Sequence, residues 1–377
     1  MRRLISVVVM FLCAVTFGTA GLAVAAPGAE KPGELVSFTK LPPGWGGTDN
    51  GYEITYLTED VAGGRAAARG LVFLPGGPAP EGGWPIVSWD HGTNGLGASC
   101  GLTSSNGAPY DSPLLRRLNE VGYAVVATDY LGLSKISAQV HPYQHLRTEA
   151  TASIDIVRAA RRAVPELSND WAVFGVSQGG TAALATGNLA PSYAPELNFH
   201  GTAALAPGTQ LDRMLPSFGP AVPNLGPING VASIFAAVLS GMVSNPTGFD
   251  IHPYLTARGE QVLRDLSTRC VPEWADTLGS NSLGSLLARP LDTPEFQRFA
   301  HSYLATPVAG YRQPIFIGHG IRDLEAPLPL TLALLQQFDA AGTKYEFQTF
   351  DTDHQNVTKG ASFEAAIAFL RRVLPAG

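Results

Sequence analysis

Along most of the chain, short apolar runs rich in Val, Ile and Phe alternate with longer stretches whose apolar residues recur every three or four positions. The runs lie at 70–74, 85–89, 123–127, 171–174, 202–205 and 314–317, with a further one at 345–350. Apolar runs of this length read as strands buried on both faces, the habit of a parallel sheet. Between them, residues 146–164 place Ala150, Ile154, Val157 and Arg161 at helical intervals, and residues 362–374 do the same with Phe363, Ile367, Leu370 and Leu374. The alternation predicts an α/β fold: a doubly wound, mostly parallel sheet with helices on both faces.

The pattern breaks between residues 208 and 313, where no strand candidate appears. Pro, Gly and Asn punctuate short helices expected at 231–243 and 259–268. Another is expected to start at Thr293-Pro294-Glu295, where a capping hydroxyl precedes proline at the first helical position. This predicts a helical cap or lid inserted between two strands, so that the core divides into 26–207 and 314–377 around an insertion at 208–313. The apolar stretch 231–239 is too short to span a bilayer. It reads either as the core of the cap or as one wall of an apolar pocket.

The N-terminus changes which residues belong to the fold. Arg2 and Arg3, an apolar stretch at 4–17, and Ala23-Val24-Ala25 before Ala26-Pro27 have the layout of a cleavable signal peptide. Cleavage near Ala25 and secretion are expected, leaving about 350 residues, enough for one elaborated domain. With 31 acidic against 25 basic residues and no Lys/Arg-rich run, nucleic acid and anionic membranes are poor partners. Cys13 departs with the signal, and Cys100 and Cys270 remain in a compartment that favours disulfides. We expect them to pair; the alternative is two separate buried thiols. Their spacing matches no metal site, and no cofactor or metal is implied.

The run at 171–174 leads into Gly175-Val176-Ser177-Gln178-Gly179, and a helix begins at Gly180-Thr181-Ala182. A sharp strand-to-helix turn puts the serine in a strained conformation, and small neighbours let the chain pass close to adjacent elements. Ser177 is therefore the candidate nucleophile, and it needs a base oriented by a carboxylate. On such a sheet both partners follow the serine in sequence. Asp323, just beyond the strand at 314–317, is the candidate acid, with Glu325 as runner-up. His354, on the last loop before the terminal helix, is the candidate base, with His319 as competitor. Asp351 and Asp353 are expected to shape their loop. An oxyanion would be met by the backbone N–H of Gln178 and by Gly92 or Thr93 in Asp90-His91-Gly92-Thr93-Asn94-Gly95. His91 with Asp90 lacks further ligands for a metal reading.

His91-Gly92-Thr93, Asp129-Tyr130-Leu131-Gly132-Leu133, Gly175-Val176-Ser177-Gln178-Gly179-Gly180, Asp323 and His354 together resemble the secretory lipases of the lipase A type, found in fungi and actinobacteria. The resemblance implies the α/β-hydrolase fold and a secreted triacylglycerol lipase or carboxylesterase, with a helical cap between the strands that carry serine and acid. It also implies an ester or lipid substrate and an edge-shaping role for Asp129; any contact with lipid surfaces is expected to be transient, without stable membrane insertion. With two mature cysteines the chain has fewer than relatives that use two bridges. A monomer is expected. The rival functions are a secreted peptidase or amidase on the same fold and a non-catalytic binding protein. The second would have no reason to keep all three triad residues.

Overall fold

The computed structural model describes residues 31–104, 111–137, 139–224, 229–245 and 248–376. The expected signal peptide, residues 1–25, lies outside them. Among the described residues nine strands form one sheet: β1 (Leu35–Lys40), β2 (Gly51–Glu59), β3 (Arg65–Phe73), β4 (Trp84–Asp90), β5 (Ala124–Thr128), β6 (Leu167–Val176), β7 (Asn198–Leu205), β8 (Ile315–Gly320) and β9 (Glu346–Phe350). Their order is β1-β2-β3-β5-β4-β6-β7-β8-β9. From β5 to β9 every pairing is parallel, whereas β1–β2, β2–β3 and β3–β5 are antiparallel. The mostly parallel α/β-hydrolase sheet is as the sequence predicts, except that the run at 70–74 belongs to an antiparallel strand and β1 and β2 precede it.

Helices α1 (Asp111–Glu120), α2 (Leu146–Ala163) and α3 (Gln178–Tyr193) lie between the early strands in sequence. Five more follow β7: α4 (Leu211–Met214), α5 (Asn229–Ser244), α6 (Ala257–Leu266), α7 (Trp274–Leu278) and α8 (Pro294–Leu304). After β8 come α9 (Leu328–Ala341) and α10 (Ala361–Val373). Alternation of side chains along each strand explains why the central runs are apolar throughout. In β5, Val125 and Ala127 pack with Leu115 and Leu118 of α1 and with Phe363 and Leu370 of α10, while Ala124 and Val126 pack with Ile154 and Val157 of α2. Both faces are covered, so no position in the run can be polar without a buried partner.

The five helices between β7 and β8 gather a separate apolar cluster, including Phe235, Leu239, Leu263, Trp274 and Phe296. Thr293 caps α8 by accepting from Phe296 N, and Pro294 occupies the first turn, where its missing N–H costs nothing. The apolar stretch of α5 belongs to the core of this cluster, as one of the two readings expected. Ala236 to Leu239 are buried in the cluster, while Val231, Ala232 and Phe235 help line a small apolar cavity. Cys100 and Cys270 form a disulfide. It ties the loop after β4 to the segment after α6, where Leu96 N donates to Arg269 O at 3.0 Å and Val271 N to Asn94 O at 2.9 Å. No described helix is long and apolar enough to cross a membrane.

Candidate active site

β6 delivers Ser177 at the sheet's carboxyl edge, and α3 begins at the next residue. Ser177 has φ 57° and ψ −119°, a conformation that L residues rarely adopt. The turn is tight enough that a Cβ at Gly175 would stand 2.0 Å from the Gly179 carbonyl oxygen, and one at Gly179 1.9 Å from that of Asp90. Only glycine fits at these two positions.

Three sequence-predicted side chains meet at this turn. The Ser177 hydroxyl donates to His354 Nε2 at 2.9 Å, and His354 Nδ1–H donates to Asp323 Oδ2 at 2.6 Å. Asp323 lies between the end of β8 and the start of α9; its other oxygen accepts from Glu325 N at 3.0 Å and Ala326 N at 2.8 Å. Those amide bonds fix the carboxylate, and the carboxylate fixes the imidazole tautomer that leaves Nε2 free to accept. Burial lowers the His354 pKa, but the hydrogen bond and charge of Asp323, aided by Glu325 and Asp353, outweigh it and leave it raised. An imidazole so held can take the serine proton and stabilise the resulting positive charge.

The competitors are occupied elsewhere. Glu325 is exposed and accepts from Gln355 at 2.9 Å. His319 lies within β8, not after it, and is fully buried. Its Nε2–H donates to Ala326 O at 2.7 Å and its Nδ1 accepts from Thr331 at 3.1 Å, so neither nitrogen serves Ser177. Asp353 shapes its loop by accepting from Asn356 N at 3.0 Å. Asp129 is buried and holds Thr103 through both oxygens.

Opposite the turn, a Cβ at Gly92 would stand 3.7 Å from Ser177 Cβ, so the loop after β4 passes directly beside the hydroxyl. Thr93 Oγ1 is hydrogen-bonded to Tyr143 Oη at 2.8 Å. The N–H of Gln178, as the first residue of α3, has no acceptor within its helix. Below the loop, His91, Tyr130, His141, Tyr143 and Trp274 make successive ring contacts that run from the sheet into the β7–β8 helices. A cleft of about 400 Å³ is lined by Pro216, Phe218, Pro220, Val222, Pro290 and Asp292, none of them in the Ser177 cluster.

Residues missed by sequence reasoning lie beneath the turn. Gln178 Nε2 donates to Glu149 at 2.6 Å and to His141 at 2.8 Å, all three side chains being buried. Burial pushes Glu149 up to about 8 against the lowering bonds from Gln178 and Gln144, and pushes Asp129 up to about 7 against those from Thr103. Both acids hold protons in the folded chain that the unfolded chain releases near its ordinary carboxyl range, and His354, also raised, acts in the same direction. The unfolded state thus binds fewer protons, and stability falls as pH rises through this window. His141 and His145, lowered by burial to about 3 and about 4, act only below the ordinary histidine range. We expect Tm to fall between about pH 6.5 and about pH 8.5 in a thermal-melt series; a rise would mean that these acids are ionised in the native state.

The family model of secretory lipases matches residues 103–373. No curated protein matches the sequence. Among solved structures, lipase A of Candida antarctica is similar at 22% identity over 86% of this chain and 78% of that one, with a TM-score of 0.70. The rice cell wall degrading esterase LipA of Xanthomonas oryzae is also similar, at 22% identity over 91% of this chain and 98% of that one, with a TM-score of 0.71. At such identities these two likenesses speak for the fold.

Proposed function

Since this chain belongs to the secretory lipase family, and is thereby a carboxylic ester hydrolase, we propose that it works through an acyl-serine intermediate on a Ser177–His354–Asp323 triad. The observation that supports this most is the unbroken chain of hydrogen bonds from the Ser177 hydroxyl through His354 to Asp323. Ser177 Oγ attacks the ester carbonyl carbon as its proton passes to His354 Nε2. The oxyanion is received by the Gln178 N–H and by a donor of Gly92 or Thr93. As the intermediate collapses, the alcohol leaves with the proton from His354, and water then repeats the sequence on the acyl-serine. Because His354 must be neutral to act, its raised pKa moves the acid limb of the rate profile above the ordinary histidine value.

The substrate we assign is a triacylglycerol or simpler carboxylic ester. Residues 208–313 serve as the cap over it, between the core segments expected at 26–207 and 314–377, of which residues 26–30 and 377 lie outside the described residues. The family is a secretory one, which supports an extracellular protein; removal of residues 1–25 near Ala25 is the export step we propose. The test is a series of nitrophenyl esters from acetate to palmitate, run beside a nitroanilide amide. Hydrolysis of esters extending to long chains is expected, with the amide untouched. Activity confined to short esters would make it a general carboxylesterase, and turnover of the amide alone would overturn the reading.

A further inference from the structure

The polar layer beneath the nucleophile turn has a wiring that can be followed bond by bond. His141 Nδ1 lies 2.8 Å from the Leu131 carbonyl oxygen, so Nδ1 carries the proton and the buried, neutral ring presents Nε2 as an acceptor. The amide nitrogen of Gln178 therefore donates one hydrogen to His141 Nε2 and the other to Glu149 Oε1. Glu149 Oε1 also accepts from Gln144 N at 3.0 Å. Among the described residues its second oxygen has no partner and the one basic side chain within ion-pair reach is His141, at 3.8 Å; the Glu149 side chain is fully buried. An ionised carboxylate so placed would be desolvated with half its acceptors empty and no cation to offset it.

We propose that Glu149 is a positioning residue for ester hydrolysis: as a neutral acid it holds, with His141, the side chain of the residue whose backbone N–H receives the oxyanion, and loss of its proton disables that step. This rests on the triad reading given above. The side-chain clamp fixes the first peptide plane of α3, and oxyanion donors lose much of their effect when displaced by fractions of an ångström. A charge arising at Glu149 would repel the negative charge building on the substrate across a dry interior. The other titratable groups facing Glu149 do not supply that charge near neutrality. Tyr130, Tyr143 and Tyr303 are held well above their ordinary values by burial, and His141 and His145 well below theirs. Asp90, also raised by burial, is hydrogen-bonded to Ser153.

The test is kcat and KM for a short nitrophenyl ester across the pH range, for the native protein, Glu149→Gln and Glu149→Ala, with Ser177→Ala beside them. For the native protein we expect kcat to fall on the alkaline side with a midpoint at about 8. Glu149→Gln keeps the carbonyl acceptor and cannot ionise, so it is expected to lose that alkaline fall and to recover most of what alanine removes. Glu149→Ala is expected to lower kcat on the order of tenfold to a hundredfold with KM nearly unchanged. An alkaline limb unchanged in Glu149→Gln overturns the proposal, and that variant decides alone if the alanine variant does not fold. Ser177→Ala separates the two failures: an inactive serine variant beside indifferent Glu149 variants sinks only this inference, whereas an active one sinks the triad beneath it.

Discussion

Ser177→Ala is expected to lower ester hydrolysis by on the order of 10⁶ while leaving the fold intact. The hydroxyl is the only part of the side chain that alanine removes, and its side-chain partner among the described residues is His354 Nε2. The strained backbone persists because it is imposed from outside. Ser177 N donates to Leu205 O at 2.9 Å, Thr181 N to Ser177 O at 3.1 Å, and Gly175 and Gly179 leave no room for another path. A melting temperature close to the native one, together with activity at the level of the oxyanion donors alone, is the expected pair of readings. Hydrolysis within tenfold of native would put the nucleophile elsewhere.

Asp323→Asn is expected to cost about 10⁴ in kcat at neutral pH, although the replacement is nearly isosteric. The carboxylate accepts the Nδ1 proton of His354 at 2.6 Å, which obliges Nε2 to accept from Ser177. An asparagine amide turned toward Nδ1 would donate instead and move the imidazole proton to Nε2, where it faces the serine and blocks proton abstraction. The amides of Glu325 and Ala326 bond the other carboxylate oxygen, and an asparagine carbonyl can keep them, so the loop should hold its shape. Glu325→Gln is the matched comparison. Glu325 is exposed, and its effect should stay within a few-fold. Equal losses in both variants would mean that the loop's charge matters, not the hydrogen bond to His354.

The candidate site was legible because it lies at ends of strands that their own composition announces. The run at 171–174 stops two residues short of the end of β6, and the turn, its glycines and the first residues of α3 follow in unbroken order. Asp323 and His354 were singled out as candidates the same way, each on the loop after a recognised strand. β1 and β2 were less visible. In β2, Tyr52, Ile54, Tyr56 and Thr58 do alternate, but Glu53 and Thr55 between them interrupt any continuous apolar run. That is the pattern of an antiparallel strand with one wetter face, which a search for parallel core strands passes over.

The buried acids were hidden for a different reason. In α2, Ala150, Ile154 and Val157 of the expected set lie on the buried face while Arg161 is only half-buried, but the helix is enclosed on nearly every side, and Glu149 and Ser153 are buried as deeply as those three. Nothing in helical periodicity separates a carboxylate facing water from one facing a second helix. The signal that could have found it is the i, i+4 pair of Glu149 and Ser153 flanking apolar positions on the same helix. The disulfide came from compartment logic, and the structure adds its consequence: it pins the loop carrying Gly92 and Thr93 to the segment at 269–271, between α6 and α7.

The most direct test of the triad is covalent. The mature protein would be incubated with a fluorophosphonate ester, digested, and the modified residue located by mass spectrometry, alongside His354→Ala. One phosphonyl group is expected, on Ser177, forming quickly in the native protein and far more slowly without His354. A label on any other side chain, or labelling of Ser177 that is indifferent to His354, would contradict the triad.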